Sequence, residues 1–374
     1  MTHPRLIFNT IWFFTAIFFF SSSSYYHGES PVIAVLMAGV ICFNVGSILK
    51  PYKFQTRGVE ILSKKLDRFL IYLMIVVIIG LIAQLKLFLS VEGGLAVKFF
   101  QVRHKISVEM IDFYGVWKYA STLSIFGMII GRLANNRIAY IYLVLSLILA
   151  LLITGRSPVL QVFLYFIISG WLRGTTIEKV LKTLFFLAGF FLIFFFSFGK
   201  FTGKFDGNLS DAIIALQHYF CSGVGALNYF ILERGELELI RWTDSPFVFR
   251  FFQAVLVKFG LAKSAIPLVL PFTYTPVRTN LYTQWYVYYI DFGLFGVALF
   301  SFITGYLTHT IYSNYLLYRE KFGVIGLPAV LLVLIYQSVL QTGLQENYFL
   351  TLSSILQVIL IWYGLKIYVL YSRR

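Results

Sequence analysis

Three short stretches hold the residues of this chain best suited to chemistry. The first is Thr154-Gly155-Arg156-Ser157-Pro158. A guanidinium such as that of Arg156 offers a planar fork of donors, the geometry that binds phosphate oxygens best. Ser157 and Pro158 open a helix, whose amino end adds partial positive charge toward the same anion. The second stretch is Thr275-Pro276-Val277-Arg278-Thr279-Asn280-Leu281-Tyr282-Thr283, leading through Tyr288 and Tyr289 to Asp291-Phe292-Gly293. Its rings, hydroxyls and amides suit a sugar: rings stack on the pyranose face and polar groups bond its rim. The third is Gln341-Thr342-Gly343-Leu344-Gln345-Glu346-Asn347-Tyr348, where Glu346 is a carboxylate beside an apolar boundary, placed to act as a general base on a hydroxyl. Each stretch also has a plain structural reading. Arg156 then anchors at lipid headgroups, the tyrosines form an interfacial belt, Asp291 caps a helix and Glu346 is a solvated loop acid.

Other chemistries find little support. The chain has no P-loop, no His/Cys spacing typical of metal sites and no Ser-His-Asp signature. Its two cysteines, Cys42 and Cys221, fall in an apolar segment and in the large loop, so no disulfide framework is implied. No metal or cofactor is expected.

The elements that must position these groups follow from composition. Apolar residues make up 59% of the chain and charged residues 13%, against roughly 25% charged in an average soluble domain. Apolar runs such as 71–89 and 180–198 are long enough to cross a hydrocarbon core, which takes roughly 20 helical residues. The expected fold is therefore an all-α polytopic integral membrane protein. Ten spans fit the pattern, near 5–22, 31–49, 67–89, 115–133, 138–154, 157–172, 180–198, 286–312, 323–342 and 348–369. The amino terminus has features of a secretory signal, but a retained first span is the preferred reading.

The net charge of +15 would point to nucleic acid in a soluble chain; here the first explanation is the excess of Lys and Arg in cytoplasmic loops. With both termini inside, the inner connections are rich in Lys and Arg, whereas the short outer connections hold only Arg156. The remaining basic residues lie in or beside two long outer loops, 90–114 and 199–285. Long translocated loops are exempt from that rule, so these charges meet headgroups or an anionic ligand.

The division along the chain is thus 1–198 (spans one to seven), 199–285 (a large periplasmic loop) and 286–374 (spans eight to ten). Two amphipathic helices are expected inside the large loop. In one, Ile213, Leu216, Phe220, Val224, Leu227 and Ile231 recur on one face, with His218 beside them. The other starts at Asp244-Ser245-Pro246 and carries Phe247, Phe251, Phe252, Val255, Leu256 and Phe259, with Arg250 on its far side. Such a helix lies flat on a leaflet, as a membrane anchor or as a lid over a lipid-linked substrate.

The turn at 154–158, the large outer loop, and Thr279-Asn280-Leu281-Tyr282-Thr283 followed by Asp291-Phe292-Gly293 and Gly296 resemble the O-antigen polymerases of the Wzy type. The resemblance covers architecture along nearly the whole chain, but only these short patches are motif-like. It implies an enzyme on the periplasmic face of the bacterial inner membrane, acting on oligosaccharides carried by undecaprenyl diphosphate. The growing glycan leaves its carrier and is transferred as a block to a new lipid-linked repeat unit. The resemblance implies no nucleotide sugar and no nucleic acid; the partners are lipid-linked oligosaccharide, membrane lipids and a chain-length regulator protein. It also implies essential arginines in the periplasmic loops. Arg156 and Arg278, helped by Arg250 or Arg241, would hold the donor diphosphate. Glu346 would take the acceptor proton, with His218 and Asp291 as weaker candidates. Asn280, Tyr282, Tyr289, Gln345 and Asn347 would contact sugar. An O-antigen ligase, acting on lipid A-core, is the near alternative; a lipid-linked oligosaccharide flippase is the distant one.

Overall fold

The computed structural model describes residues 3–22, 31–53, 63–107, 113–152, 156–173, 209–234, 236–242, 248, 256–257, 259–261, 273–275, 277–279, 283–322, 326–341 and 352–371. Its helices are α1 (Pro4–Ser21), α2 (Val32–Gly46), α3 (Ser63–Leu89), α4 (Leu95–Ser107), α5 (Tyr119–Leu133), α6 (Ile138–Leu152), α7 (Arg156–Leu172), α8 (Leu209–Arg234), α9 (Gln284–Phe322), α10 (Leu327–Gln341) and α11 (Leu352–Tyr371). Each expected span other than 180–198, which lies outside the described residues, overlaps one of these helices. Among the described residues, three stretches are long and apolar enough to cross a bilayer, by length and composition: Pro4–Ser21, Lys65–Leu89 and Gln284–Glu320. Shorter apolar helices accompany them, including Val32–Gly46, Ile138–Leu152 and Pro158–Leu172.

The described residues are helical as expected, apart from one short ribbon. β1 (Thr273–Thr275) and β2 (Val277–Thr279) pair antiparallel, with Tyr274 opposite Arg278. Threonine, tyrosine and valine fit a pleated ribbon better than a helix, and the ribbon rests against α8.

The chain forms two compact units. One comprises Met1–Phe54, Leu209–Asn314 and Ser338–Ser354. In it α1 and α2 meet through Phe8 stacked on Phe43, with ring centroids 3.7 Å apart. One residue farther along each helix the amides of Asn9 and Asn44 exchange two hydrogen bonds, of 3.0 and 2.8 Å. Trp285 is wholly buried and stacks on Trp12 at 3.6 Å. Gly39 makes room for it, since a Cβ there would lie 2.2 Å from the indole. Farther along, a Cβ on Gly46 would lie 2.1 Å from the Phe302 carbonyl oxygen, and one on Gly305 2.0 Å from that of Phe43. This is backbone-to-backbone contact of α2 and α9, the kind of close approach that small residues permit between apolar helices.

α8 departs from the expected one-faced helix. Residues 221–228 are buried without interruption, because α8 packs on α1, α2 and the ribbon together. Cys221, Ser222, Gly223, Gly225 and Ala226 are small enough to admit neighbours on several sides. The second expected amphipathic helix, from Asp244, lies mostly outside the described residues.

The other unit comprises Gln55–Asn208, Tyr315–Gln337 and Ile355–Arg374, with α3, α5, α6 and α7 packed together. Several of its buried polar groups pair internally. Ser124 and Ser146 share a hydrogen bond of 2.7 Å, and Tyr142 Oη donates to the Leu70 carbonyl at 2.6 Å. Tyr315 Oη likewise donates to the Leu172 carbonyl at 2.9 Å. In apolar surroundings such satisfied bonds fix which helix faces meet.

Candidate functional site at a broken helix

α9 is two half-helices. Gly293 has φ 66° and ψ −156°, far outside helical values. Yet Trp285 Nε1 donates to Ser301 Oγ at 3.0 Å, and the Tyr288 and Phe300 rings stack at 5.1 Å. In a continuous helix Trp285 and Ser301 would be about 24 Å apart. The chain therefore reverses at Gly293, and half-helix 284–292 folds back along half-helix 294–322. The expected span at 286–312 is corrected accordingly. The part after the reversal, 294–322, is by itself about 43 Å long at 1.5 Å per residue.

Glycine is demanded twice at this bend. Its backbone lies in a region that only glycine enters readily, and a Cβ would lie 2.7 Å from the Glu238 carbonyl oxygen. Gly296 makes the return possible, since a Cβ there would lie 2.5 Å from the Tyr288 carbonyl oxygen. Breaking a helix orphans the first N–H groups of the new one. Here Leu294 N–H donates to the Glu238 carbonyl at 3.0 Å and Phe295 N–H to that of Leu239 at 2.9 Å. Glu238 N–H in turn donates to Tyr289 Oη at 2.8 Å. The loop after α8 is thereby fastened on both sides of the break.

That fastening arranges charge. Glu238 receives Arg234 on one carboxylate oxygen at 2.9 Å and Arg241 on the other at 3.3 Å. Both guanidiniums also lie by Phe230, with Cζ 4.7 and 5.4 Å from the ring centroid. The Phe230 ring meets Tyr286 and Tyr289 edge-on. Cation–π contact and the shared carboxylate hold the two arginines in place, and both remain partly open to solvent, at 40% and 20%. Glu238 offsets one of the two positive charges, and Glu233 and Glu236 stand in the same stretch of chain. Asp291, two residues before the break, is buried, and its Oδ2 accepts the Val248 N–H at 2.8 Å.

Of the residues expected from sequence, the structure brings Arg241, Tyr289 and Asp291 to this break. Tyr289 and Asp291 hold backbone here: Tyr289 takes the Glu238 N–H and Asp291 that of Val248. Arg278 stands in β2 and His218 within α8, in the same unit. Arg156 is the first residue of α7, in the other unit. Arg250, Asn280, Tyr282, Gln345, Glu346 and Asn347 lie outside the described residues. Among the described residues no group of three or more His, Cys, Asp and Glu comes together that could hold a metal.

Sequence reasoning missed Arg234, Glu238 and the reversal. The available signal was Gly293 and Gly296 in an otherwise continuous apolar run directly after Asp291. Compared with known proteins, the chain matches no family model, no curated protein and no solved structure.

Proposed function

We propose that this protein is a membrane glycosyltransferase that polymerises oligosaccharide repeat units carried on undecaprenyl diphosphate, acting at the periplasmic face of a bacterial inner membrane through about ten transmembrane helices. The observation that carries the reading is the pair of guanidiniums, Arg234 and Arg241, held by one carboxylate over a broken helix. Broken helices in membranes commonly build polar sites where ligands bind, and paired arginines suit a diphosphate. The aromatic and hydroxyl-rich run leading into α9 supports sugar recognition.

In this reading the acceptor hydroxyl attacks the anomeric carbon of the donor glycan. The bond to the diphosphate oxygen breaks, and that oxygen leaves with the electron pair. Arginine charge stabilises the growing negative charge on the leaving group, with Arg278 and Arg156 contributing as the sequence resemblance implies. A carboxylate accepts the hydroxyl proton. Asp291 already accepts a backbone N–H, which keeps Glu346 as the first candidate for that role and His218 behind it.

The test is to mix the purified protein in nanodiscs with one undecaprenyl diphosphate-linked repeat unit and to resolve the products by size. A ladder rising by whole repeat units is expected. It should be lost or cut at least about tenfold in Arg156→Ala and Arg278→Ala. Product that appears only after lipid A-core is added would make the protein a ligase. No product with either acceptor would overturn the glycosyltransferase reading.

A further inference from the structure

We propose that Arg132 and Arg173 hold one phosphate group, that of an anionic phospholipid, in the groove where α5 ends against α7. The two side chains cross that groove in opposite senses. Arg132 reaches from α5 to Gly170 of α7, where a Cβ would lie 3.1 Å from its Nε and its Nη2. Arg173, just past the end of α7, donates from Nη1 to Asn135 Oδ1 in the turn after α5. Both contacts join residues 38 apart in the chain. The two helices therefore run parallel here, and the arginines stand on successive turns, about 4.5 Å apart along the axis. That spacing lets one tetrahedral anion take donors from both forks.

Both guanidiniums are half-buried and held in place. The Cζ of Arg132 lies 4.7 Å from the Phe166 ring centroid, its Nη1 donates to Tyr140 Oη at 3.2 Å, and its Nε is buried with no hydrogen-bond partner. Asn135 receives Arg173 from a left-handed backbone, φ 59°, in the turn. Among the described residues neither arginine has a carboxylate partner. Arg234 and Arg241, by contrast, share Glu238. A fixed, partly desolvated charge that no acid neutralises is costly by itself, and an anion from outside removes that cost.

The surrounding charge stays positive when the acids are counted. Asp67, near the start of α3, comes to this end of the bundle, and its Oδ1 accepts from Asn136 Nδ2 at 2.5 Å. Lys65 and Arg68 flank it on α3, and Arg137 follows Asn136 in the turn. Arg319 and Glu320, about one turn beyond the Tyr315 that bonds the Leu172 carbonyl, add one charge of each sign. The connections before α3 and after α7 add Arg57, Lys179 and Lys182 against Glu60 and Glu178. The carboxyl ends of α5 and α7 contribute only about half a negative charge each.

An apolar strip selects the source of the phosphate. Tyr140, whose hydroxyl Arg132 bonds, is 52% exposed, and Ile141 and Val144 continue outward along α6 at 50% and 55%. Acyl chains lie along such a strip while the headgroup phosphate meets the arginines; free phosphate has no use for it. Basic pockets between membrane helices bind anionic headgroups in this way. Arg156 opens α7 at its other end, about 24 Å away along the axis, so this site is separate from any donor site built on Arg156.

The test follows thermal unfolding of the full chain in a neutral maltoside detergent while phosphatidylglycerol, phosphatidylcholine or inorganic phosphate is added. Phosphatidylglycerol should raise the apparent Tm saturably; the other two should not. Arg173→Gln should raise the phosphatidylglycerol concentration needed for half the effect by about tenfold, the loss of one charge-assisted contact. Glutamine keeps an amide donor for Asn135, so the Tm without lipid should match wild type. Arg132→Gln should show the same shift, and Arg173→Gln decides where the Arg132 variant, packed on Phe166, loses stability. Arg137→Gln removes an equal charge from an exposed position in the same turn and should stay within about twofold of wild type, since exposed charges are screened.

Equal stabilisation by phosphatidylcholine, or an unchanged response in Arg173→Gln, would overturn the site. An equal loss in Arg137→Gln would mean a diffuse basic surface and would overturn it as well. Stabilisation by inorganic phosphate that competes with phosphatidylglycerol would overturn the lipid as source and keep the phosphate site.

Discussion

Replacing Gly293 by alanine tests whether the reversal in α9 is built as described. The substitution meets two separate obstacles. At φ 66° and ψ −156°, a side chain costs about 1–3 kcal/mol in backbone strain. The new Cβ would also lie 2.7 Å from the Glu238 carbonyl oxygen and 3.1 Å from the Leu239 carbonyl carbon. The loop must retreat, and its two bonds to Leu294 and Phe295, of 3.0 and 2.9 Å, then weaken or break. Each such bond contributes about 0.5–1.5 kcal/mol, so the expected loss is roughly 2–6 kcal/mol. The assay is apparent thermal stability in detergent together with limited trypsin digestion. Once the loop lifts, cleavage at Arg234 and Arg241 should quicken. Gly364→Ala is the control, since its added Cβ meets nothing within 4 Å and alanine favours a helix. If α9 were one continuous rod, Gly293→Ala would raise stability by about 1 kcal/mol. A variant as stable as wild type, with the same trypsin pattern, refutes the reversal.

Three further outcomes are expected. Arg234→Ala and Arg241→Ala should each lower glycan polymerisation by at least about tenfold, with apparent Tm nearly unchanged, because a partly exposed ion pair adds little to stability; a large drop in Tm would instead mark them as structural. Burial lowers the pKa of His3 from 6.5 to about 4, with His309, hydrogen-bonded at 2.9 Å, and the nearby Arg5 adding to the effect. The unfolded chain then binds the proton first, so stability should be complete above about pH 6.5 and decline as pH falls toward 4; His3→Gln should flatten that slope in a pH series of thermal melts. Gly305→Ala should lower apparent Tm, because the added Cβ meets the Phe43 carbonyl oxygen at 2.0 Å and α2 must move off α9, at a cost of about 1–3 kcal/mol.

The places of the helices were legible in the sequence, because apolar length and period are local properties. Expected spans at 5–22, 31–49, 138–154 and 157–172 fall on α1, α2, α6 and α7 to within a few residues. Arg241, Tyr289 and Asp291 were also legible as polar groups beside an apolar run. The reversal at Gly293 was not. Glycine in an apolar stretch serves equally for a straight packed helix and for a bend, and only the return contacts of Trp285 with Ser301 and Tyr288 with Phe300 decide between them. The pairing of Glu238 with Arg234 and Arg241 is local in spacing, at four and three residues, but its place at the break was out of reach, since Glu238 N–H is bonded to Tyr289, 51 residues farther along the chain. Nor did periodicity show α8 buried on several sides, since its small residues mark a close approach without naming the partner. Local chemistry sets which segments become helices and which groups are reactive. Long-range packing decides where a helix breaks, where a charge cluster is held and which apolar side chains remain uncovered.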